Sequence, residues 1–311
     1  TTTSNDQQSP SAAALADGGF VVTWESAGQD MGGWGVYGQR FTATGTKNGG
    51  EFLVNATTSS DQRVSSVGSF ADGRVVVAWQ SFLQDGNDWG VFARRVRTDG
   101  LGDGAEIPVN VTTLGGQDLP ALAALSDGRF IVAWRGLVDR GGGVTDTDVF
   151  MRRFKADGTA DGTEVVVSQT TANDQSYPSI SLAGGDSYVI AWQSVAQDGS
   201  GTGIYARRFA LDGTPLAGEF RVNTYTANDQ GDPTVSGTAD GRFVIAWRSD
   251  LQDLDAGGVF VQRYLSGGTA SKAEFRANTY TANEQAQPSI AAGATGFLVG
   301  WASNNQDGAA F

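Results

Sequence analysis

Three observations predict an all-β fold, a β-propeller of four-stranded antiparallel blades. One apolar unit of about 55 residues is written six times. Each copy holds four short β-branched and aromatic segments. Glycine, at 44 of 311 residues, is abundant enough to supply the turns between them.

Tryptophan marks the repeat. It recurs at Trp24, Trp79, Trp134, Trp192, Trp247 and Trp301, at intervals of 55, 55, 58, 55 and 54 residues. Glutamine recurs with it, at Gln7, Gln62, Gln117, Gln175, Gln230 and Gln285. Aspartate precedes the glutamine at Asp6, Asp61, Asp174 and Asp229; Gly116 and Glu284 replace it in the third and sixth copies. The repeats run approximately 1–55, 56–110, 111–168, 169–223, 224–278 and 279–311. No linker or compositional break divides them, so 1–311 reads as a single domain.

The fourth copy shows the elements most clearly. Strand A is Pro178–Leu182, strand B Tyr188–Trp192, strand C Ile204–Phe209 and strand D Glu219–Asn223. Asp-Gly pairs join A to B at 17–18, 72–73, 127–128 and 240–241, where glycine supplies the positive φ of a tight hairpin. Strand B carries one bulky face (Val75, Val77, Trp79; Phe130, Val132, Trp134) and one thin face with Ala78, Ala133, Ala191 and Ala246. Both faces are apolar, so sheets can stack bulky face onto thin face around an axis. An open β-solenoid would need much shorter coils. The sixth copy stops before its strand C. Six blades with the last incomplete are expected, or seven if more repeats lie outside the sequence.

Arginine and glutamate keep a separation of eleven at Arg40/Glu51, Arg95/Glu106, Arg153/Glu164, Arg208/Glu219 and Arg263/Glu274. That spacing predicts a cross-strand ion pair fixing the register of each C–D hairpin.

Composition narrows the chemistry. With 21 basic and 34 acidic residues the net charge is −13, which disfavours nucleic acid and anionic lipid and attracts cations. The chain has no cysteine and no histidine, so disulfides, thiolate nucleophiles, imidazole bases and His or Cys metal sites are excluded. A metal would sit on oxygen ligands, with calcium the expected ion. No apolar run is long enough to span a membrane. No signal peptide or initiator methionine is present, so the sequence reads as a mature or trimmed segment.

Written out, the unit is N-T-x-T-x-x-D-Q-x-x-P-S, D-G-x-F-V-V-A-W-x-S-x-x-Q-D-G, G-V-Y-x-x-R-F and E-F-x-V-N. It resembles the repeats of very large secreted bacterial proteins of the calcium-binding RTX type, which are similar to adhesins and exported surface proteins. The resemblance covers the whole chain. It implies export, an extracellular address and a repeat-built scaffold. The glycine-aspartate nonapeptides that bind calcium in that family are absent here.

Loops D–A and B–C emerge at one end of each sheet, bringing the Asp-Gln pairs beside a second aspartate: Asp30, Asp85, Asp139, Asp198, Asp253 and Asp307. These oxygens could hold calcium, or could lock the loops by hydrogen bonds to backbone. Residues that break the repeat are better candidates for function. Trp34 and Trp89, beside Asp30 and Asp85, could stack on a sugar or fold back onto their own blades. The longer third loop carries Asp139, Asp146 and Asp148, a candidate cation site or a solvated glycine loop. No pair of acids stands out from the pattern for catalysis. The expectation is a non-catalytic extracellular binding or scaffold module, displayed to a protein or glycan at a cell surface and part of a larger chain or assembly. A calcium-dependent lectin and a glycan-cleaving enzyme are the alternatives.

Overall fold

The computed structural model describes residues 5–306 and 308. It is all-β, a β-propeller of four-stranded antiparallel blades. Among the described residues there are five such sheets and a sixth of two strands. The first holds β1 Gln7–Ala14, β2 Phe20–Ala27, β3 Trp34–Phe41 and β4 Phe52–Leu53. The second holds β5 Gln62–Ser69, β6 Val75–Phe82, β7 Trp89–Val96 and β8 Ile107–Pro108. The third holds β9 Gln117–Ala124, β10 Phe130–Gly141, β11 Val144–Phe154 and β12 Val165–Val166. The fourth holds β13 Gln175–Leu182, β14 Ser187–Val195, β15 Thr202–Ala210 and β16 Phe220–Arg221. The fifth holds β17 Gln230–Gly237, β18 Phe243–Asp250, β19 Gly257–Tyr264 and β20 Phe275–Arg276. The sixth is β21 Gln285–Ala292 with β22 Phe297–Ser303. The chain divides into two compact units, Thr1–Thr145 with Phe150–Val165, and Asp146–Val149 with Val166–Phe311.

Within each unit the sheets stack bulky face on thin face. Val21 of the first sheet meets Val75, Val77 and Trp79 of the second. Val76 and Ala78 meet Phe130, Val132 and Trp134 of the third. In the other unit Val189 and Ala191 meet Phe243, Ile245 and Trp247, and Val244 and Ala246 meet Phe297 and Val299. Trp79, Trp134, Trp192 and Trp247 are wholly buried, whereas Trp24 and Trp301 are half-buried. Each fully buried large side chain contributes roughly 2–3 kcal/mol from apolar area alone.

In the first five sheets the A–B turns hold three residues, and in the sixth two. In the second sheet Phe70 N–H donates to Arg74 O at 2.9 Å, and Gly73, at φ 82°, takes the left-handed position. That geometry is a type I turn followed by a glycine bulge.

The strand registers do not set the predicted Arg–Glu pairs opposite one another in the first, second, fourth and fifth sheets. β7 and β8 pair with Phe92 opposite Pro108 and Ala93 opposite Ile107, which sets Glu106 opposite Arg94, not Arg95. The pleat therefore sends Arg95 and Glu106 to opposite faces. The register of β15 with β16 likewise sets Glu219 opposite Arg207, and β19 with β20 sets Glu274 opposite Gln262. In the first sheet Glu51 stands opposite Gln39 rather than Arg40. The glutamates tie sheets together instead. Glu106 accepts from Ala56 N at 2.6 Å, Thr57 N at 3.2 Å and Thr57 Oγ1 at 2.8 Å, all on the crossover leaving the first sheet. Glu164 does the same for Val111 and Thr112, Glu219 for Gln169 and Thr170, and Glu274 for Thr224. The arginines turn to other loops: Arg40 donates to Gly73 O, Arg95 to Ala156 O, and Arg153 pairs with Asp161 at 3.1 Å. The Nε atoms of Arg40, Arg95, Arg208 and Arg263 are buried without a hydrogen-bond partner. The neighbouring arginines Arg94, Arg152 and Arg207 staple each sheet to the last carbonyls of the one before, at Val54, Val109 and Val167.

Candidate active site

Every A strand carries a bulge behind the repeated glutamine. In β17, for example, the register with β18 shifts between Gly231 and Thr234. The bulged residues are Ser9, Val64, Leu119, Tyr177, Asp232 and Gln287, all left-handed at φ 50–52°. Proline follows in five of them, where the broken ladder needs no N–H. The residue after the repeated tryptophan caps the bulge of the next sheet. Val64 N donates to Glu25 Oε2 at 3.1 Å, Leu119 N to Gln80 Oε1 at 3.0 Å and Asp232 N to Gln193 Oε1 at 3.3 Å. The backbone of this row repeats while its side chains do not. Non-glycine residues held left-handed concentrate at functional sites.

In the second unit this row meets an acidic cluster. Arg248, the residue after Trp247 on β18, is ion-paired with Glu284 on the crossover before β21 and with Asp250 two residues on, at 2.8 Å. All three side chains are about one quarter exposed, so solvent reaches them. Gly257 makes the room: a Cβ there would lie 2.5 Å from Glu284 Oε1 and 2.8 Å from Arg248 Nε. Asp232 faces the same group of charges. Burial raises its carboxyl above the ordinary value, with Glu284 adding to the rise and Arg248 opposing it. Asp250 is raised by burial as well, with Arg248 opposing and Glu284, Asp229 and Asp232 adding. The neighbouring bulges of β13 and β21 contribute Tyr177, 45% exposed, and Gln287. The cluster thus holds carboxyls biased toward the protonated form beside a carboxylate fixed by a guanidinium. That is the asymmetry acid–base chemistry requires.

The equivalent place in the first unit is satisfied and closed. Glu25 is 1% exposed and receives Arg63 Nε at 3.2 Å, Val64 N at 3.1 Å and Ser9 Oγ at 2.9 Å. Burial pushes its carboxyl up, but these partners and the Arg63 charge outweigh burial and hold it below the ordinary value.

The residues singled out from sequence fall into place as architecture. Gln62, Gln175, Gln230 and Gln285 are fully buried, and Gln117 nearly so. Gln62 Nε2 donates to Ser59 O, Gln175 to Ala172 O, Gln230 to Ala227 O, Gln285 to Ala282 O and Gln117 to Leu114 O. Gln7 is exposed and donates to Asn5 O. Asp30 and Asp85 are not poised for a ligand, a correction to the sequence reading. Asp30 Oδ1 accepts from Gly32 N and Oδ2 from Asn55 Nδ2; Asp85 Oδ1 accepts from Asn87 N and Oδ2 from Asn110 Nδ2. The asparagine ending each E-F-x-V-N segment is the link: Asn55 also donates to Gln62 Oε1 at 3.0 Å and accepts from Val36 N at 2.8 Å.

Trp34 and Trp89 open strands β3 and β7 rather than lying in loops, and both are half-buried. The Arg63 guanidinium lies 4.4 Å from the Trp34 ring centre, and Phe82 packs against Trp89 at 5.2 Å. The long third loop is instead a β-hairpin, β10 and β11 turning through Gly141, Gly142 and Gly143, all at positive φ. Asp139 Oδ1 accepts from Gly141 N, and Asp148 is buried on the strand. Asp139, Asp146 and Asp148 therefore form no cation site, and among the described residues no group of three carboxylates could hold a metal. Asp307 lies outside the described residues.

Asp232, Arg248, Asp250 and Tyr177 carried no signal in the motif reading, and Glu284 registered only as a variant of aspartate. Reading the copies column by column would have found them. Asp250 stands where the first, second and fourth copies have Ala27, Phe82 and Val195, and Arg248 where they have Glu25, Gln80 and Gln193.

No protein family matches the chain, and no curated protein does. Solved structures do. A protein of unknown function from Dyadobacter fermentans aligns at TM-score 0.64 and 12% identity, covering 92% of this chain and 87% of that one. The GH93 α-L-arabinofuranosidase of Fusarium graminearum, in complex with arabinobiose, aligns at TM-score 0.63 and 14% identity, covering 93% and 86%. The α-L-arabinanase of Penicillium chrysogenum, also with arabinobiose, aligns at TM-score 0.60 and 14% identity, covering 91% and 84%. At these identities the likeness shows the fold. It also corrects the expectation of a non-catalytic module, because the scaffold is one on which glycan-active enzymes are built. Catalysis was set aside because no acid pair stood out in the sequence, and the fold brings Asp232 and Glu284 together about Arg248.

Proposed function

We propose that this chain is a glycan-cleaving enzyme acting through Asp232 and Glu284. The observation that carries the reading is the pairing of a carboxyl raised by burial with a carboxylate ion-paired to Arg248. Glycoside hydrolysis needs two carboxyl groups in different protonation states. Asp232 would donate its proton to the glycosidic oxygen as the bond to the leaving sugar breaks. Glu284, oriented by Arg248, would assist attack at the anomeric carbon, and water would supply the new hydroxyl. Tyr177, exposed on the adjacent bulge, offers an aromatic face to a sugar ring. The likeness to enzymes crystallised with arabinobiose supports a glycan substrate. In the same reading the chain is one domain that works outside the cell, and its two-stranded sheet is the first half of a sixth blade.

The test is release of reducing ends from arabinan and a panel of other polysaccharides. Asp232→Asn and Glu284→Gln should each lower the rate by about 100-fold or more with the melting temperature retained. Turnover indifferent to both substitutions, or none on any polymer, would sink the assignment.

A further inference from the structure

The B–C loops are tied to the crossovers that lead into the next sheet. In three places the crossover supplies the acid. Asp61 Oδ1 accepts from Trp34 N at 3.1 Å, Asp174 Oδ1 from Thr147 N at 2.9 Å and Asp229 Oδ1 from Thr202 N at 2.8 Å. Between the second and third sheets Gly116 replaces that aspartate, and the acid comes from the loop. Asp88 Oδ2 lies 3.4 Å from the point where a Cβ on Gly116 would stand.

The fifth sheet and the crossover into β21 carry an acid on both sides. Glu284 holds the position of Asp61, Asp174 and Asp229, yet its carboxylate is ion-paired with Arg248. Asp255, in the loop, makes the tie in the reverse direction. Its Oδ2 accepts from Asn283 N at 3.3 Å and its Oδ1 from Ala256 N at 2.8 Å. The first, second and fourth copies have Gly32, Asn87 and Ser200 where Asp255 stands. We propose that Asp255 is a positioning residue, which takes over the tie between loop and crossover and so releases the Glu284 carboxylate to Arg248 and to a substrate. The release toward a substrate rests on the enzyme reading above; the tie itself does not.

The loop is rebuilt, at a cost, to bring Asp255 there. Asp30, Asp85 and Asp198 each accept through Oδ1 from the N–H two residues on, at 3.1 Å from Gly32, 3.2 Å from Asn87 and 3.4 Å from Ser200. The matching Asp253 has lost that bond. Its side chain is 1% exposed, and its Oδ1 is buried with no hydrogen-bond partner. Leu254 takes φ 76° where the second and fourth copies have Gly86 and Gly199. It is 93% exposed, so no packing offsets the left-handed strain. An orphaned buried acceptor and a strained leucine both destabilise. What the loop gains is the bond from Asn283, the residue before Glu284. Holding that amide fixes the backbone from which the Glu284 side chain starts. A displacement of about 1 Å there is enough to spoil a catalytic geometry.

The test compares three variants of the whole chain with the parent. Asp255→Ala should speed exchange of the Asn283 amide by about tenfold or more and lower the melting temperature by about 2 °C. On the polymer that the parent cleaves, it should lower kcat by about tenfold with KM nearly unchanged. Asp255→Asn keeps an acceptor oxygen and should stay close to the parent in all three. Asp255→Ala combined with Glu284→Asp should regain the melting temperature, because a crossover aspartate can again accept from strand C as Asp229 does, while turnover stays lost. Unchanged Asn283 exchange in Asp255→Ala, or no recovery of the melting temperature on adding Glu284→Asp, would overturn the tie. Faster exchange with unchanged kcat would overturn the positioning role. A parent chain that cleaves no polymer would sink the enzyme reading, and exchange and melting temperature would still decide the tie.

Discussion

Glu106→Ala separates the two accounts of the repeated glutamate. The side chain holds the crossover between the first two sheets through Ala56 N, Thr57 N and Thr57 Oγ1, and takes Gln84 Nε2 at 2.8 Å. Hydrogen bonds to a charged group contribute about 1.5–3 kcal/mol each when buried. Ala56 is exposed and Glu106 half-buried, so water can replace part of what is lost. The expected net cost is about 2 kcal/mol for all four contacts together. A double-mutant cycle in urea then locates the partners. Glu106→Ala with Thr57→Ala should show a coupling of about 1 kcal/mol. Glu106→Ala with Arg95→Ala should show about 0.3 kcal/mol or less, because the two side chains leave opposite faces of the sheet. Strong coupling to Arg95 with none to Thr57 would refute the register argument and restore the ion pair.

Val64, β-branched and left-handed at φ 51°, should be relieved by Val64→Asn, stabilising the protein by about 1 kcal/mol in the same urea titration. Gly257→Ala would push a methyl to 2.5 Å from Glu284 Oε1, and should lower glycan cleavage by about tenfold or more while leaving the melting temperature nearly unchanged. Asp232 and Asp250 are raised in the folded state, so folding takes up protons there and stability falls as pH rises from about 4 through the raised values; Asp232→Asn should flatten that fall in melting temperature. Glu25 is lowered, so the stability it contributes is present above the ordinary glutamate range and lost as pH falls through its folded value; Glu25→Gln should blunt the acid-side loss.

What the sequence made legible followed from its periodicities. The 55-residue spacing of tryptophan gave the units, and period-two alternation in strand B gave the bulky and thin faces that stack Val21 on Trp79 and Val76 on Trp134. Three things were hidden for physical reasons. A separation of eleven between Arg95 and Glu106 does not say whether the hairpin loop holds an odd or even number of residues, and one residue decides the face. The stretch Asp139–Phe150 reads as loop because glycine and aspartate make up half of it, yet three consecutive glycines at positive φ turn a hairpin that extends the strands on both sides. The Gln-x-x-Pro segment conceals an added residue, so the side chain that the bulge redirects is not marked by its type.

That last point bears on how a repeat protein can acquire one active site. All six bulges hold the same strained backbone, so the conformational cost is part of the scaffold whatever side chain sits there. Chemistry can then change at a bulge without remaking the sheet. In the first unit Ser9, Val64 and Leu119 occupy the row; Glu25 is sealed by Arg63, Val64 N and Ser9 Oγ, and Asp118, beside Leu119, is ion-paired with Arg135. In the second unit Tyr177, Asp232 and Gln287 occupy it, and position 248, after the tryptophan, is arginine, as position 135 is in the third copy, where the first copy has glutamate. This exchange removes an acceptor from beneath the β21 bulge and brings Glu284 and Asp250 into contact with the guanidinium. A charge that locks two sheets together in one unit is thereby replaced, in the other, by a group of carboxyls that solvent and a substrate can reach.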